Sequence, residues 1–361
     1  MHFRSLSFHN FRNLKESLIP TDSKHVILLG NNGQGKTNFL EAIYLLCYGS
    51  SFRAANIKEL CTHGKKDFSL SAVVANEQME NQHLLLRYSD GKREIRIDGK
   101  EIKDRRDLIY NIPCIVFSHD DIEFVRGAPE SRRKFFDQTM SLYDPLFFDD
   151  LRRYRSVLRQ RNAAIKASLT TLLPIYNRQL AELGINIQLK REKEVKQFNQ
   201  LFATLYTKVA QTEDKMSINY RPSWHGCTTV DEVVEKLERN IETDFKMQTT
   251  TSGIHRDQFI VMQNKVNFSQ SGSTGQMRLA SLIFRVAQIE TYLQHSEKEP
   301  ILLIDDVLLE LDLTKRALFL DLLTGYSQAF FTFLPQESYF AKVKSEISLT
   351  YKVEDGTFIK A

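Results

Sequence analysis

Gly30-Asn31-Asn32-Gly33-Gln34-Gly35-Lys36-Thr37 fits the pattern GxxxxGK[ST] in full. Glycines let backbone N–H groups curl around phosphate oxygens without Cβ clashes. Lys36 is suited to reach a β/γ-phosphate, and the Thr37 hydroxyl to ligate Mg2+. A helix opening at the end of this loop would aim its positive N-terminus at the same anion. Much further along, Ile301-Leu302-Leu303-Ile304-Asp305-Asp306 is an apolar run ending in two carboxylates. Such a run reads as a strand buried on both faces, and ligands of open α/β sheets sit at the carboxyl ends of strands. Asp305 is therefore the candidate partner of Thr37 at Mg2+, and Asp306 the candidate general base toward an attacking water. Together the two segments describe a site for ATP with Mg2+, with Lys36 and Asp306 as its catalytic residues.

Two further groups carry chemistry. Ser273-Thr274-Gly275-Gln276-Met277-Arg278 opens an apolar helical segment. A serine and a glycine N–H at a helix start form a second anion site, although Ser273 suits a plain N-cap equally well. Between the two motifs, Arg126 to Lys196 holds 15 Lys/Arg against 8 Asp/Glu, an excess of +7, so the rest of a chain of net charge +4 carries −3. A localised basic excess is the footprint of a nucleic-acid surface, or of a solvated helical face. Arg132, Arg133, Arg152, Arg153, Arg155, Arg159 and Arg161 are the candidate DNA contacts as a group. Arg133 and Arg161 suit structural pairs as well, and His255 and Trp224 read as structural.

The elements that must position these residues follow from periodicity. Residues 1–30 read as two extended segments and then a buried strand, Val26 to Leu29, ending at Gly30. Phe39, Leu40, Ile43, Tyr44 and Cys47 have helical spacing. Phe68 to Val74 alternates, and a hairpin is expected around Asp90-Gly91, with a second turn at Asp98-Gly99. From about Ile122 to Ala210 the periodicity is helical. Asp231 to about Phe245 reads as one helix, Gln258 to Phe268 as a strand pair, and Met277 to Leu293 as a strongly apolar helix. Thus residues 1–120 with 295–361 are expected to form the ATP-binding lobe, and 121–294 a mainly helical lobe carrying the Ser273 segment.

With 361 residues, 42% of them apolar and 26% charged, the chain is long enough for about two domains. No apolar run approaches the ~18 residues of a membrane span, and the first residues lack the layout of a signal peptide. Cys47, Cys61, Cys114 and Cys227 are far apart with no CxxC pair, which argues for free thiols and a cytoplasmic protein.

The distance between the motifs matters as much as their content. Asp305 lies 268 residues beyond Thr37, whereas compact P-loop kinases and GTPases place the second carboxylate one or two strands later. A lobe inserted between the motifs is the ABC-ATPase layout. The expected fold is accordingly α/β: an ABC-type P-loop ATPase head, a mixed sheet with helices and an N-terminal antiparallel meander, plus a mainly α-helical second lobe. In ABC-type ATPases a segment like Ser273–Arg278 is the signature that contacts the γ-phosphate held by the opposite subunit. That makes Ser273, Gly275, Gln276 and Arg278 candidate contacts in trans, and Asp312 in Glu310-Leu311-Asp312 occupies the D-loop position.

End to end, the sequence resembles the bacterial RecF family. The likeness runs through Asn10-Phe11-Arg12-Asn13, the Gly30–Thr37 loop and Gly127-x-Pro129-x-x-Arg132-Arg133-x-Phe135-x-Asp137. It continues in Tyr154-x-x-Val157-Leu158-x-Gln160-Arg161-Asn162, His255-Arg256-Asp257, the Ser273 segment and Asp305-Asp306-Val307-x-x-Glu310-Leu311-Asp312. The resemblance implies recombinational repair at gapped or stalled DNA, ATP-dependent DNA binding, dimerisation around two ATPs and slow hydrolysis. It also implies work with RecR and RecO in loading a recombinase. The chain departs from the family at Phe117-Ser118-His119-Asp120-Asp121, at Phe331-Thr332-Phe333 and at Met277. A membrane transporter's nucleotide-binding subunit would want Leu-Ser-Gly-Gly-Gln, which is absent, and a scaffold that holds ATP without turnover is the other alternative.

Overall fold

The computed structural model describes residues 1–76, 78–336 and 348–361. The chain forms two compact units, Met1–Asp120 with Leu293–Ala361, and Asp121–Tyr292.

The first unit holds two six-stranded sheets. One is antiparallel and is built from β1 (His2–His9), β2 (Ser17–Pro20), β4 (Phe68–Ala75), β5 (Asn81–Ser89), β6 (Lys92–Ile97) and β7 (Lys100–Glu101), in the order β2-β1-β4-β5-β6-β7. The Asp90-Gly91 and Asp98-Gly99 turns join β5 to β6 and β6 to β7. Asp90 and Asp98 have φ of 51° and 49°, the left-handed values such tight turns demand. The other sheet has the order β15-β14-β3-β13-β12-β8. Its members are β3 (His25–Leu29), β8 (Cys114–Phe117), β12 (Ile301–Asp305), β13 (Gln328–Phe333), β14 (Ser348–Glu354) and β15 (Thr357–Lys360), and only β15 runs antiparallel to its neighbour.

Between loop and meander, α1 (Lys36–Tyr48) is buried at every position from Phe39 to Cys47, so it is covered all round rather than on one stripe. Residues of α1 and of both sheets belong to one apolar core, with Phe39 against Phe8, Phe330 and Phe358. Each such side chain taken out of water stabilises by roughly 1.5–3 kcal/mol. The short α2 (Arg106–Asn111) precedes β8, and α11 (Leu313–Leu322) lies between β12 and β13.

The second unit contains α3 (Glu123–Arg126), α4 (Pro129–Ser141), α5 (Pro145–Lys166), α6 (Leu173–Ala210), α7 (Val230–Arg239), α8 (Ile241–Met247), α9 (Phe268–Ser271) and most of α10 (Thr274–His295). It also has a three-stranded sheet, β9 (Met216–Arg221), β10 (Gln258–Gln263) and β11 (Val266–Asn267), in the order β11-β10-β9. The strand pair expected at Gln258–Phe268 is β10 and β11; β9, six residues long, carries too short a pattern to stand out beside the 38-residue α6. The single helix expected over Asp231–Phe245 is two, parted at Asn240, whose side chain gives no cap bond and whose φ of −88° and ψ of 0° leave the helical range. The last helix starts at Thr274, three residues ahead of the apolar run, because Ser273 and Gln276 cap it. No helix among the described residues is long and apolar enough to cross a membrane.

Candidate functional site

The phosphate loop lies between β3 and α1, and its shape is imposed by its neighbours. A Cβ on Gly30 would stand 2.5 Å from the Val353 carbonyl oxygen of β14, so only glycine fits there. Gly35 has a φ of 112°, closed to L side chains, and hands the chain straight into α1. Three braces hold the loop from outside. The Asn13 amide donates to the Gly33 carbonyl at 3.1 Å, the Asp355 N–H donates to Gln34 Oε1 at 2.7 Å, and the Gly356 N–H donates to the Gln34 carbonyl at 2.9 Å. Gln34 thus spends its side chain on the β14–β15 turn. Asn31, Asn32 and Gly33 are exposed.

Lys36 is the first residue of α1 and only 3% exposed. Its ammonium donates to the Gly30 carbonyl at 2.7 Å and the Asn31 carbonyl at 3.3 Å, and stands 3.4 Å from Asp306 Oδ2. The Thr37 hydroxyl donates to Asp305 Oδ1 at 2.8 Å, closing a sequence separation of 268 positions. Parallel pairing of β3 with β13 and of β13 with β12 produces this meeting, since it aligns the carboxyl ends of the strands. Burial raises the Asp305 carboxyl above its ordinary range; the Thr37 hydrogen bond opposes this, and the Asp306 charge adds to it.

A threonine hydroxyl beside a carboxylate is an all-oxygen pair, the hard donor set that Mg2+ accepts, and Mg2+ needs only one or two protein oxygens when phosphates and waters complete its shell. These residues therefore fit Mg2+. No group of three or more His, Cys, Asp or Glu that could hold a metal occurs among the described residues.

Three neighbours of the site carry no motif signal. Thr332 pairs in register with Asp305 across β12 and β13. Its hydroxyl accepts from the Asp306 N–H at 2.8 Å and lies 3.1 Å from Asp305 Oδ1 and 3.0 Å from Asp306 Oδ1. Asp306 has a φ of 51°, left-handed for a residue other than glycine, and this bond helps to hold it there. Glu41 on α1 is fully buried and takes a bidentate pair from Arg12, one bond from Arg53 and one from Ser51. Burial works to raise its carboxyl, but these partners outweigh burial and hold it below the ordinary range. Arg53 also donates to Asn38, and its charge lowers Asp305. Arg12 and Asn13 thus brace α1 and the loop, while Phe11 between Asn10 and Arg12 packs into the core. Phe331 and Phe333 are buried rings stacked at 5.9 Å on either side of Thr332 in sequence.

In the second unit, Ser273 and Gln276 form a reciprocal box: the Ser273 N–H donates to Gln276 Oε1 at 2.8 Å, and the Gln276 N–H to Ser273 Oγ at 3.3 Å. Gly275 is exposed with open space where a Cβ would stand, and Arg278 is one turn further on. In the first unit, Asp312 caps α11, accepting from the Lys315 N–H at 2.9 Å and its ammonium at 2.8 Å.

The arginines separate into two sets. Arg152, Arg153, Arg155 and Arg159 are exposed on α5; Arg152 pairs with Asp149 at 3.2 Å and Arg155 stands 3.5 Å from Asp137, yet both side chains remain about 60% exposed (59% and 64%). Arg161 is not a DNA contact. It is 0% exposed, donating to Asn177, Asp244 and Thr250 at 2.7–2.8 Å. It follows Tyr154 and Leu158 at i+7 and i+3, on the apolar stripe of α5, so its spacing alone signals an inward-facing position. Arg133 and Arg132 are half-buried and turned onto carbonyls, Arg133 onto Asp257 and Arg132 onto Val125 and Gly127, so they too hold the backbone.

Other charged and aromatic residues build the interior of this unit. Arg191, 2% exposed, pairs with Asp137 at 2.7 Å and Asp257 at 2.8 Å, and Tyr220 donates to Asp257. His255 bonds Tyr154 and the Thr250 carbonyl, and burial pushes it down to about 4. Trp224 is fully buried, donating to Ser252.

Residues 2–358 match the family model described as RecF/RecN/SMC N terminal domain. The chain is 38% identical over 349 residues to the DNA replication and repair protein RecF of Treponema pallidum, covering 96% of this chain and 98% of that one. It is 32% identical to RecF of Leptospira interrogans, covering 96% of each. A solved structure of the recombination mediator protein RecF with ATP, in the RecFOR pathway, superposes with a TM-score of 0.90 at 27% identity, over 100% of this chain and 97% of that one. The Smc head domain of Pyrococcus furiosus, at 16% identity and a TM-score of 0.59, shares the fold. A phosphate loop and a buried carboxylate strand closed across an inserted lobe, matched over nearly the whole length, place this chain in the RecF family.

Proposed function

We propose that this chain is an ATP-binding protein of DNA replication and recombinational repair, acting in a RecFOR-type pathway as a nucleotide-switched DNA clamp. The observation that carries the reading is the 2.8 Å bond from Thr37 to Asp305, with Lys36 3.4 Å from Asp306 beside it. Two segments at opposite ends of the sequence meet to make one phosphate and metal site. Residues 1–120 with 295–361 bind ATP, and 121–294 form the lobe with the Ser273 signature.

Backbone N–H groups of Gly30–Thr37 and the Lys36 ammonium bind the phosphates. Thr37 and Asp305 hold Mg2+, which when bound neutralises phosphate charge. Asp306 accepts the proton of the attacking water, with Thr332 fixing its backbone. Hydrolysis is slow and serves as a switch. Completion of the site requires a second copy, whose Ser273, Gly275, Gln276 and Arg278 approach the γ-phosphate and whose Asp312 lies near them, about a twofold axis. Exposed Arg152, Arg153, Arg155 and Arg159 bind DNA, single-stranded and double-stranded, at gaps. RecR and RecO are the expected protein partners, and the cytoplasm the place of action.

ATP hydrolysis measured with and without duplex DNA tests the reading. Stimulation by DNA is expected; hydrolysis that ignores DNA would favour a transporter-type subunit, and ATP bound without turnover would favour a scaffold.

A further inference from the structure

A second cationic concavity lies in the first unit, at the other end of the helix that the phosphate loop starts. Its volume is about 280 Å³, and it is lined by Arg93, Ile95, Glu101, Ile102, Lys103 and Arg105. Three cations face one carboxylate. Arg93 donates to the Gly49 carbonyl, and Arg105 donates to the Tyr48 carbonyl at 2.8 Å and to Ser50 Oγ at 2.7 Å. Both guanidiniums thereby cap the C-terminal end of α1, where the helix dipole is negative. These bonds fix the two side chains in place and leave each with unused N–H donors, because a guanidinium carries five.

Neither arginine has a carboxylate partner among the described residues. Two like charges are instead held together: burial lowers Arg93 below its ordinary range, and the charge of Arg105 lowers it further. An anion at this point relieves that repulsion, and the ordering entropy of the arginines has already been spent. Lys103 stands exposed at the rim. Ile95 and Ile102 give the wall an apolar side, and the Ile102 N–H is bonded to the Ile95 carbonyl at 2.8 Å, which ties the strand end to the sheet.

We propose that Arg93, Lys103 and Arg105 form a second phosphate-binding site, taking the phosphate of a phosphate ester, either in a free nucleotide or in a polynucleotide backbone. It is distinct from the loop at Gly30–Thr37. The 13 residues of α1 set Lys36 and Tyr48 about 18 Å apart. One helix therefore joins the two anion sites.

The test uses the full-length Lys36→Met protein, so that the first site contributes little. Inorganic phosphate and adenosine monophosphate are titrated by calorimetry, and a 20-base-pair duplex by fluorescence anisotropy. Lys103→Glu, which removes no structural bond, is expected to weaken at least one probe by tenfold or more. Arg105→Gln should do the same, with the melting temperature confirming a folded protein. Lys92→Glu makes an equal charge change on β6 outside the concavity and should alter binding less than twofold. A loss confined to phosphate and nucleotide assigns a free ligand, and a loss for the duplex that excess phosphate reproduces assigns a backbone phosphate. If Lys103→Glu leaves every probe unchanged, or Lys92→Glu weakens them equally, there is no site here. Because the loop lysine is already replaced, that failure would leave the ATP reading untouched.

Discussion

The Lys36 ammonium and the Asp306 carboxylate stand 3.4 Å apart, both largely buried. An incoming phosphate must therefore draw Lys36 away from Asp306 as well as from two loop carbonyls. Asp306→Asn removes that competitor. The variant is expected to bind ATP with unchanged or up to about tenfold higher affinity, a difference of about 1.4 kcal/mol, while hydrolysis falls ~10²–10⁴-fold. Titration with a fluorescent nucleotide alongside single-turnover hydrolysis checks both. Weakened binding would show that Asp306 serves the metal, as Asp305 is assigned to do.

Thr332 is the next residue to probe. Thr332→Val keeps the shape but leaves the Asp306 N–H without its acceptor and two carboxylates without a shared donor. A loss of roughly 1–3 kcal/mol in stability is expected for such an orphaned buried group, with a fall in kcat larger than any change in KM. Thr332→Ser should restore both. Denaturant unfolding and steady-state kinetics are the measurements, and a Thr332→Val protein with native turnover would reduce Thr332 to packing.

For DNA, the exposed and buried arginines should part company. Arg152, Arg155 and Arg159 replaced together by Glu should flatten the dependence of log affinity on log salt by about 0.9 for each phosphate no longer neutralised. Arg161→Met should instead unfold the second unit more readily, by roughly 3–5 kcal/mol, since Asp244 loses its buried partner. If the salt slope is unchanged in the triple variant, α5 is not the DNA surface.

Ser273→Arg sets a bulky cation at the helix start. The protein should bind ATP as a monomer and fail to dimerise or hydrolyse, whereas Asp306→Asn with ATP should accumulate dimer. Ser273→Ala is the control for the capping box alone, with a cost of ~1 kcal/mol. Light scattering with and without ATP decides the matter; normal dimerisation by Ser273→Arg would leave Ser273 as a helix cap.

Acid should loosen the second unit in a definite window. The ordinary value of a histidine is 6.5 and that of His255 is pushed down to about 4 by burial. Below 6.5 the unfolded chain takes up a proton that the folded chain refuses until about 4. Stability from this group is therefore full above 6.5 and declines as pH falls through that interval. His255→Gln should flatten that part of the stability–pH curve in urea titrations, and an identical slope would place the acid sensitivity elsewhere.

The phosphate loop and the Asp305 strand are legible in the sequence because their chemistry confines residue types over consecutive positions, and the helix and strand beside them carry strong periodicity. Thr332 and Arg53 are not, because their parts depend on which strand lies beside which and on how a loop returns to α1. No local spacing records that Thr332 is Asp305's partner across β12 and β13. The α5 arginines show the middle case. Their charge is visible, but only the stripe of Tyr154, Leu158 and Ile165 tells that Arg161 faces inward while its neighbours face water.

The order of strands in the parallel sheet bears on synthesis. β3 sits between β13 and β14, and Phe3 of β1 is bonded to Gln328 of β13 across 325 positions. On the ribosome, at roughly 5–20 residues per second, the loop and α1 emerge early and then wait for both neighbours of their strand. For all that time β3 presents two unpaired edges of valine, isoleucine and leucine, the surface on which strands of other chains pair. The second unit lies in one continuous stretch, Asp121–Tyr292, and has its own core to close meanwhile. A nascent chain halted before β13 would carry every residue of the phosphate loop while β3 still lacked both of its strand neighbours, so partial products should need chaperone protection and bind nucleotide poorly.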